Sequence, residues 1–264
     1  MAENQPAAPA EKPPERGGKK LGTGIPGLDT MLYGGIPETN QVIIAGGPGS
    51  GKSLLCLEAL IHFAEAGMTS AFISFEEKTD EVVKNVEGAF PTLAPKIEDL
   101  LKSGALSIVN EDMTMSFASE DEKELGVAFM SIVSAVEKIV MEKKAKCVAV
   151  DSISLLKLIA SNGKTYLYRK ALLTLLNAFR QLGITTLFAV ELESIERKEV
   201  TFSPEFFLFD GIIILYQSER EERRVYNLEV IKMRGSHHSL SFAPYDITSK
   251  GFKVFGSVGE EELM

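Results

Sequence analysis

Gln41-Val-Ile-Ile-Ala-Gly46-Gly-Pro-Gly-Ser-Gly51-Lys52-Ser53-Leu-Leu55 runs from an apolar stretch through a glycine-rich turn into an amphipathic segment. Gly46, then Gly51-Lys52-Ser53 after four intervening residues, is the spacing of a phosphate-binding loop. Glycines let the backbone wrap close to phosphate oxygens, and the N–H groups at a helix start face anionic charge. The Lys52 ammonium adds a point charge, and the Ser53 hydroxyl is placed to hold Mg²⁺. Val42, Ile43 and Ile44 read as a buried strand before the loop, and Leu54, Leu55, Leu57, Leu60 and Ile61 as a helical stripe after it. A plain glycine turn needs neither flank.

Working outward, strand-like and helix-like runs alternate. Strands are expected over Gln41–Ala45, Ser70–Phe75, Leu106–Asn110, Lys146–Asp151, Ile184–Val190 and Gly211–Tyr216. Several are apolar on consecutive positions, as in a parallel sheet covered on both faces. Helices are expected over Lys52–Ala66, Thr79–Ala89, Glu120–Lys143 and Lys164–Gln181, the last stopped by Gly183. After Tyr216 only strands follow, over Val225–Met233, Leu240–Ile247 and Phe252–Phe255. The pattern predicts an α/β fold: a mostly parallel central sheet with helices on both faces and an antiparallel extension at one edge.

The chain has 264 residues, which fits one large domain. Residues 1–20 carry four prolines and, after Met1, no large apolar side chain, so they read as a tail. The folded domain is expected over 21–256, with a short acidic tail over 257–264. No apolar run reaches the roughly 18 residues that cross a bilayer, and no apolar leader is visible. Two cysteines without a paired framework point to a reducing cytoplasm. The net charge, 28 − 37 = −9, opposes broad attraction to nucleic acid.

Asp151 ends the apolar run Cys147-Val-Ala-Val, where a carboxylate can reach the magnesium shell beside the loop; the bland alternative is a helix cap. Glu76 and Glu77 end the strand that follows the loop helix. Such a pair can position a water and take its proton, or be acids in a solvated helix start. Lys232 and Arg234, two apart on a strand, point to one face. They read either as cationic prongs toward phosphates or as charges guarding an edge strand. His237 and His238 lack the further ligands of a zinc site.

In this order, Leu21-Gly-Thr-Gly-Ile-Pro-Gly-Leu-Asp29, Gly34-Gly-Ile-Pro37, the phosphate loop, Ser74-Phe-Glu-Glu77, Asp151-Ser152 and Lys232-Met-Arg-Gly-Ser-His237 resemble the KaiC family of RecA-type ATPases. The resemblance runs from Leu21 to Phe255. It implies a RecA-like P-loop core, ATP and Mg²⁺ held at subunit interfaces, and hexameric rings. It assigns Gly47, Pro48, Gly49, Ser50, Gly51, Lys52, Ser53 and Leu54 to nucleotide binding, and Ser53 and Asp151 to the metal. Glu76 becomes the general base with Glu77 beside it, and Lys232 and Arg234 act on a neighbour's ATP. The clock protein that names the family has two such domains and autophosphorylates in the second. This chain has one, so no clock role is implied, and no Ser or Thr stands out as a phosphate acceptor. Tyr226 stands where family members often carry an arginine.

Three functions compete: a slow ring ATPase that resets an oligomeric or partner-binding state, a recombinase-like accessory on single-stranded DNA, and a nucleotide-dependent scaffold for a protein partner. The DNA reading needs a basic mobile loop. Over 191–209, Glu191, Glu193, Glu196, Glu199 and Glu205 outnumber Arg197 and Lys198. The scaffold reading has only the aromatic group Phe202, Phe206, Phe207 and Phe209, which equally suits a core or a ring interface.

Overall fold

The computed structural model describes residues 18–111, 122–153, 165–192, 194, 197–200, 202, 204–220 and 223–255. Eleven strands occur among them: β1 Lys20–Leu21, β2 Ile36–Pro37, β3 Gln41–Gly46, β4 Ser70–Ser74, β5 Leu106–Asn110, β6 Cys147–Asp151, β7 Thr185–Glu191, β8 Gly211–Arg220, β9 Arg223–Met233, β10 Phe242–Thr248 and β11 Gly251–Val254. The helices are α1 Pro26–Met31, α2 Lys52–Glu65, α3 Thr79–Ala89, α4 Ala94–Ser103, α5 Glu122–Lys143 and α6 Thr165–Gln181, with a 3-10 turn at Pro204–Leu208.

Nine strands form one sheet in the order β11-β10-β9-β8-β3-β7-β6-β4-β5. From β8 to β5 every pairing is parallel; β9, β10 and β11 add on antiparallel beyond β8, which is the expected extension at one edge. β3 shows why its residues are apolar throughout. Val42 and Ile44 enter a core shared with α1 to α4, while Ile43 and Ala45 enter a second core under α5 and α6. A strand with helices on both faces has no solvent side to make polar. No helix among the described residues is long and apolar enough to cross a membrane.

Two helices escaped the sequence reading. α1 and α4 both carry a proline in the first turn, Pro26 and Pro95, where it starts a helix by presetting φ and lacks only an N–H that would be unpaired anyway. The β8–β9 hairpin is also longer than its apolar runs. Gln217 to Arg220 on β8 and Arg223 and Arg224 on β9 continue the ladder with polar residues, because backbone pairing does not require apolar side chains. β10 starts at Phe242 rather than Leu240, whose side chain is exposed. The expected helix starts at Glu120 and Lys164 lie outside the described residues.

Candidate active site

The phosphate loop leaves the C-terminal end of β3, between its neighbours: Gly46 pairs with Glu191 of β7 and Leu215 of β8. Glycine is required there by close approach. A Cβ on Gly46 would lie 2.5 Å from Ser50 Oγ, and one on Gly51, at φ 89°, would lie 2.6 Å from Ile247 Cδ1. The loop carbonyls are tied down. Lys52 Nζ donates to Gly47 O (2.9 Å), Gln217 Nε2 to Pro48 O (3.0 Å) and Tyr245 Oη to Ser50 O (2.7 Å). The first N–H groups of α2 have no partner within the helix, so this cradle offers donors to an anion. The fully buried Ser50 hydroxyl also lacks a hydrogen-bond partner.

β3, β7, β6 and β4 run parallel, so Glu191, Asp151 and the Glu76–Glu77 turn reach the same end of the sheet as the loop. Burial raises the Asp151 carboxyl above its ordinary range, and the nearby Ser53 hydroxyl opposes the rise. Two adjoining oxygens on a hydroxyl and a carboxylate, beside a glycine cradle and an orphan hydroxyl, fit a hard cation such as Mg²⁺. Burial lowers the Lys52 ammonium, while Glu191 foremost, then Asp151, and further off Glu76, draw it back up. The site therefore sets a half-buried ammonium among carboxylates.

The two glutamates separate. Ser152 Oγ donates to Glu76 Oε1 (3.2 Å), which places Glu76 beside Asp151. Glu77 turns toward α3 and β5: Asn85 Nδ2 donates to its Oε2 (2.9 Å) and Asn110 Nδ2 to its carbonyl (2.9 Å). Lys232 and Arg234 are not brought to the loop. Arg234 follows the last residue of β9, and Gly211 pairs with both Met233 and Val42, the opposite end of the loop strand. Four strand steps, about 13 Å, separate that end from Gly46. The two side chains do converge, both donating to Phe207 O at 3.2 and 3.1 Å. Of the aromatic group, Phe206 and Phe209 are core residues, whereas Phe202 and Phe207 are exposed.

Sequence reasoning missed Gln217, Tyr245 and the place of Glu191 beside Lys52. A buried tyrosine on an alternating strand does signal a hydroxyl in need of an acceptor. Nothing local says that the acceptor is Ser50.

Comparison with known proteins agrees with the geometry. Residues 21–258 match the family "ATPase: KaiC". A UPF0273 protein of Thermotoga maritima is 32% identical over 92% of this chain and 98% of its own. Another, from Methanopyrus kandleri, is 32% identical over 89% of this chain and 92% of its own. The circadian clock oscillator protein KaiC 1 of Synechocystis is 26% identical over 92% of this chain but 45% of its own length. With the loop, the split glutamates and Asp151 all inside one continuous match, the chain belongs to the KaiC family of ATPases.

Proposed function

We propose that the protein is a Mg²⁺-dependent ATP hydrolase working as a ring, hexameric by family resemblance, in which each ATP is held by one subunit and completed by the next. The observation that carries this reading is the separation of the two halves. Loop and carboxylates lie at one end of the sheet, Lys232 and Arg234 at the other. One subunit cannot bring its own Lys232 and Arg234 to its own phosphates, whereas a neighbour docked end to face can.

The loop N–H groups and Lys52 bind and orient the triphosphate. Mg²⁺ held by Ser53 and Asp151 would supply charge neutralisation. Glu76, its Oε1 fixed by Ser152, takes the proton of the attacking water as the new P–O bond forms and the bond from the γ-phosphorus to the ADP oxygen breaks. Glu77 anchors the turn through Asn85 and Asn110. Lys232 and Arg234 of the neighbour offset the charge spread over the transferring group. Hydrolysis resets an oligomeric or partner-binding state in the cytoplasm, where the buried thiols Cys56 and Cys147 stay reduced.

Light scattering coupled to phosphate release tests this on wild type and Glu76→Gln. Mg-ATP should assemble both, and only wild type should release phosphate, the variant being slower by about 100-fold or more. Normal turnover by Glu76→Gln removes Glu76 from the chemistry; a monomer with Mg-ATP removes the ring.

A further inference from the structure

The far end of the sheet holds a joint that the proposed reaction uses only in part. Asp210, at the turn into β8, has a side chain 12% exposed and sits among three cations. Arg180 of α6 grips it with a fork: Nη2 lies 3.1 Å from Oδ2 and 3.2 Å from Oδ1, and Nε 3.3 Å from Oδ2. Arg234 Nη1 reaches Oδ1 at 3.4 Å. The backbone closes the joint. Gln41, the first residue of the loop strand, donates its N–H to Asp210 Oδ2 (3.1 Å) and accepts the Asp210 N–H (2.8 Å), while the Arg234 N–H donates to Asp210 O (2.7 Å).

The charges are unequal. Arg180, Lys232 and Arg234 against Asp210 give 3 − 1 = +2 for these four groups. The short bidentate contacts belong to Arg180, the stronger geometry. Arg234 has one long contact to the carboxylate and a side chain 56% exposed, so it is oriented without being neutralised. Burial lowers the Lys232 ammonium, Arg234 and Arg180 add to the effect, and Asp210 opposes it, as expected where cations outnumber the carboxylate between them.

We propose that Asp210, braced by Arg180, is a positioning residue that aims Arg234 at the ATP of the neighbouring subunit. The proposal rests on the shared-site reading above. A merely structural Asp210 would steady its own β3, and its loss would damage ATP binding in the same subunit. A positioning Asp210 damages only the neighbour's turnover.

Asp210→Asn keeps the shape and an acceptor for Gln41 but loses the charge. ATP affinity, read with a fluorescent nucleotide, and assembly should match wild type, while kcat falls about 10- to 100-fold. Mixing with Lys52→Ala decides the matter. In mixed rings, an Asp210→Asn loop beside a Lys52→Ala subunit regains a complete site. Random equimolar mixing puts that ordered pair at about one interface in four, so phosphate release should recover to about a quarter of wild type. Arg234→Ala mixed with Lys52→Ala is the control. Recovery in the control but not with Asp210→Asn overturns the positioning role and leaves the shared site standing. Recovery in neither overturns both. Should Asp210→Asn melt well below wild type, Arg180→Gln, which spares the Gln41 bonds, enters the same assay, and failure to be rescued overturns the proposal.

Discussion

At the C-terminal ends of β3, β4, β6 and β7 the molecule presents a glycine cradle, one half-buried ammonium and several carboxylates. At the opposite end it presents two arginines and a lysine around a single aspartate, without a glycine cradle. The first end can hold phosphates and a cation and can take a proton; of the arginines toward that end, Arg197 is paired with Glu229, and Arg220, Arg223 and Arg224 lie on the outer β8–β9 hairpin. The second has Arg180, Lys232 and Arg234 and, among the described residues, no phosphate loop. Under the proposed function, chemistry that needs both would be built from two subunits, and catalysis would be conditional on assembly.

The comparison is broken or sharpened by substitutions at each end. Arg234→Ala should bind ATP and assemble normally yet lose about 1,000-fold in kcat, the order expected for a trans arginine, measured by phosphate release at saturating ATP. Unchanged kcat would mean that the far end is not catalytic. Lys52→Ala, at the loop end, should weaken ATP binding about 100-fold by titration calorimetry, two charge-assisted bonds being worth about 3 kcal/mol. It should do so in the monomer too, which separates the two ends cleanly. Tyr245→Phe removes only the 2.7 Å bond to Ser50 O. It should cost about 1 kcal/mol of stability and a few-fold in ATP affinity, with kcat retained.

The smallest effect lies away from both ends. His62 on α2 fills the space that Gly24 leaves open and lies 3.9 Å from Glu58 and 3.1 Å from Glu65. Glu58 first, with Glu65, raises its imidazole above the ordinary range. A raised folded-state value means that the stabilisation is full below the unfolded value, about 6.5, and is lost as pH rises through the folded one. His62→Gln should therefore melt lower than wild type at pH 6, by about 0.5–1 kcal/mol, and the gap should narrow at alkaline pH. A gap that widens with pH would reverse the assignment.

Much of the fold was legible because its code is local. Continuous apolar runs such as Ile212-Ile-Ile-Leu215 mark strands buried on both faces, and the spacing in Leu172, Leu175, Leu176 and Phe179 marks a helix. Proline hid α1 and α4 because the same residue that breaks a helix interior also begins a helix. Polar pairing hid the outer β8–β9 ribbon. In the site, the loop and Asp151 could be read from contiguous residues, and Glu76 only as one of two alternatives. Ser152 distinguishes Glu76 from Glu77, and it does so from 76 residues away in sequence.

What the amino-acid sequence determines by itself is the phosphate cradle, since it is made of backbone, and backbone geometry follows from the order of glycines, lysine and helix start over a few residues. Only the tertiary structure decides that Glu191 flanks Lys52, that Gln217 from β8 and Tyr245 from β10 hold the loop, and that Asp210 ties the base of β3 to Arg234. Each joins segments brought together by the strand order β10-β9-β8-β3-β7-β6-β4. That order is a property of crossover connections and of burying two faces at once, and no window along the chain contains it.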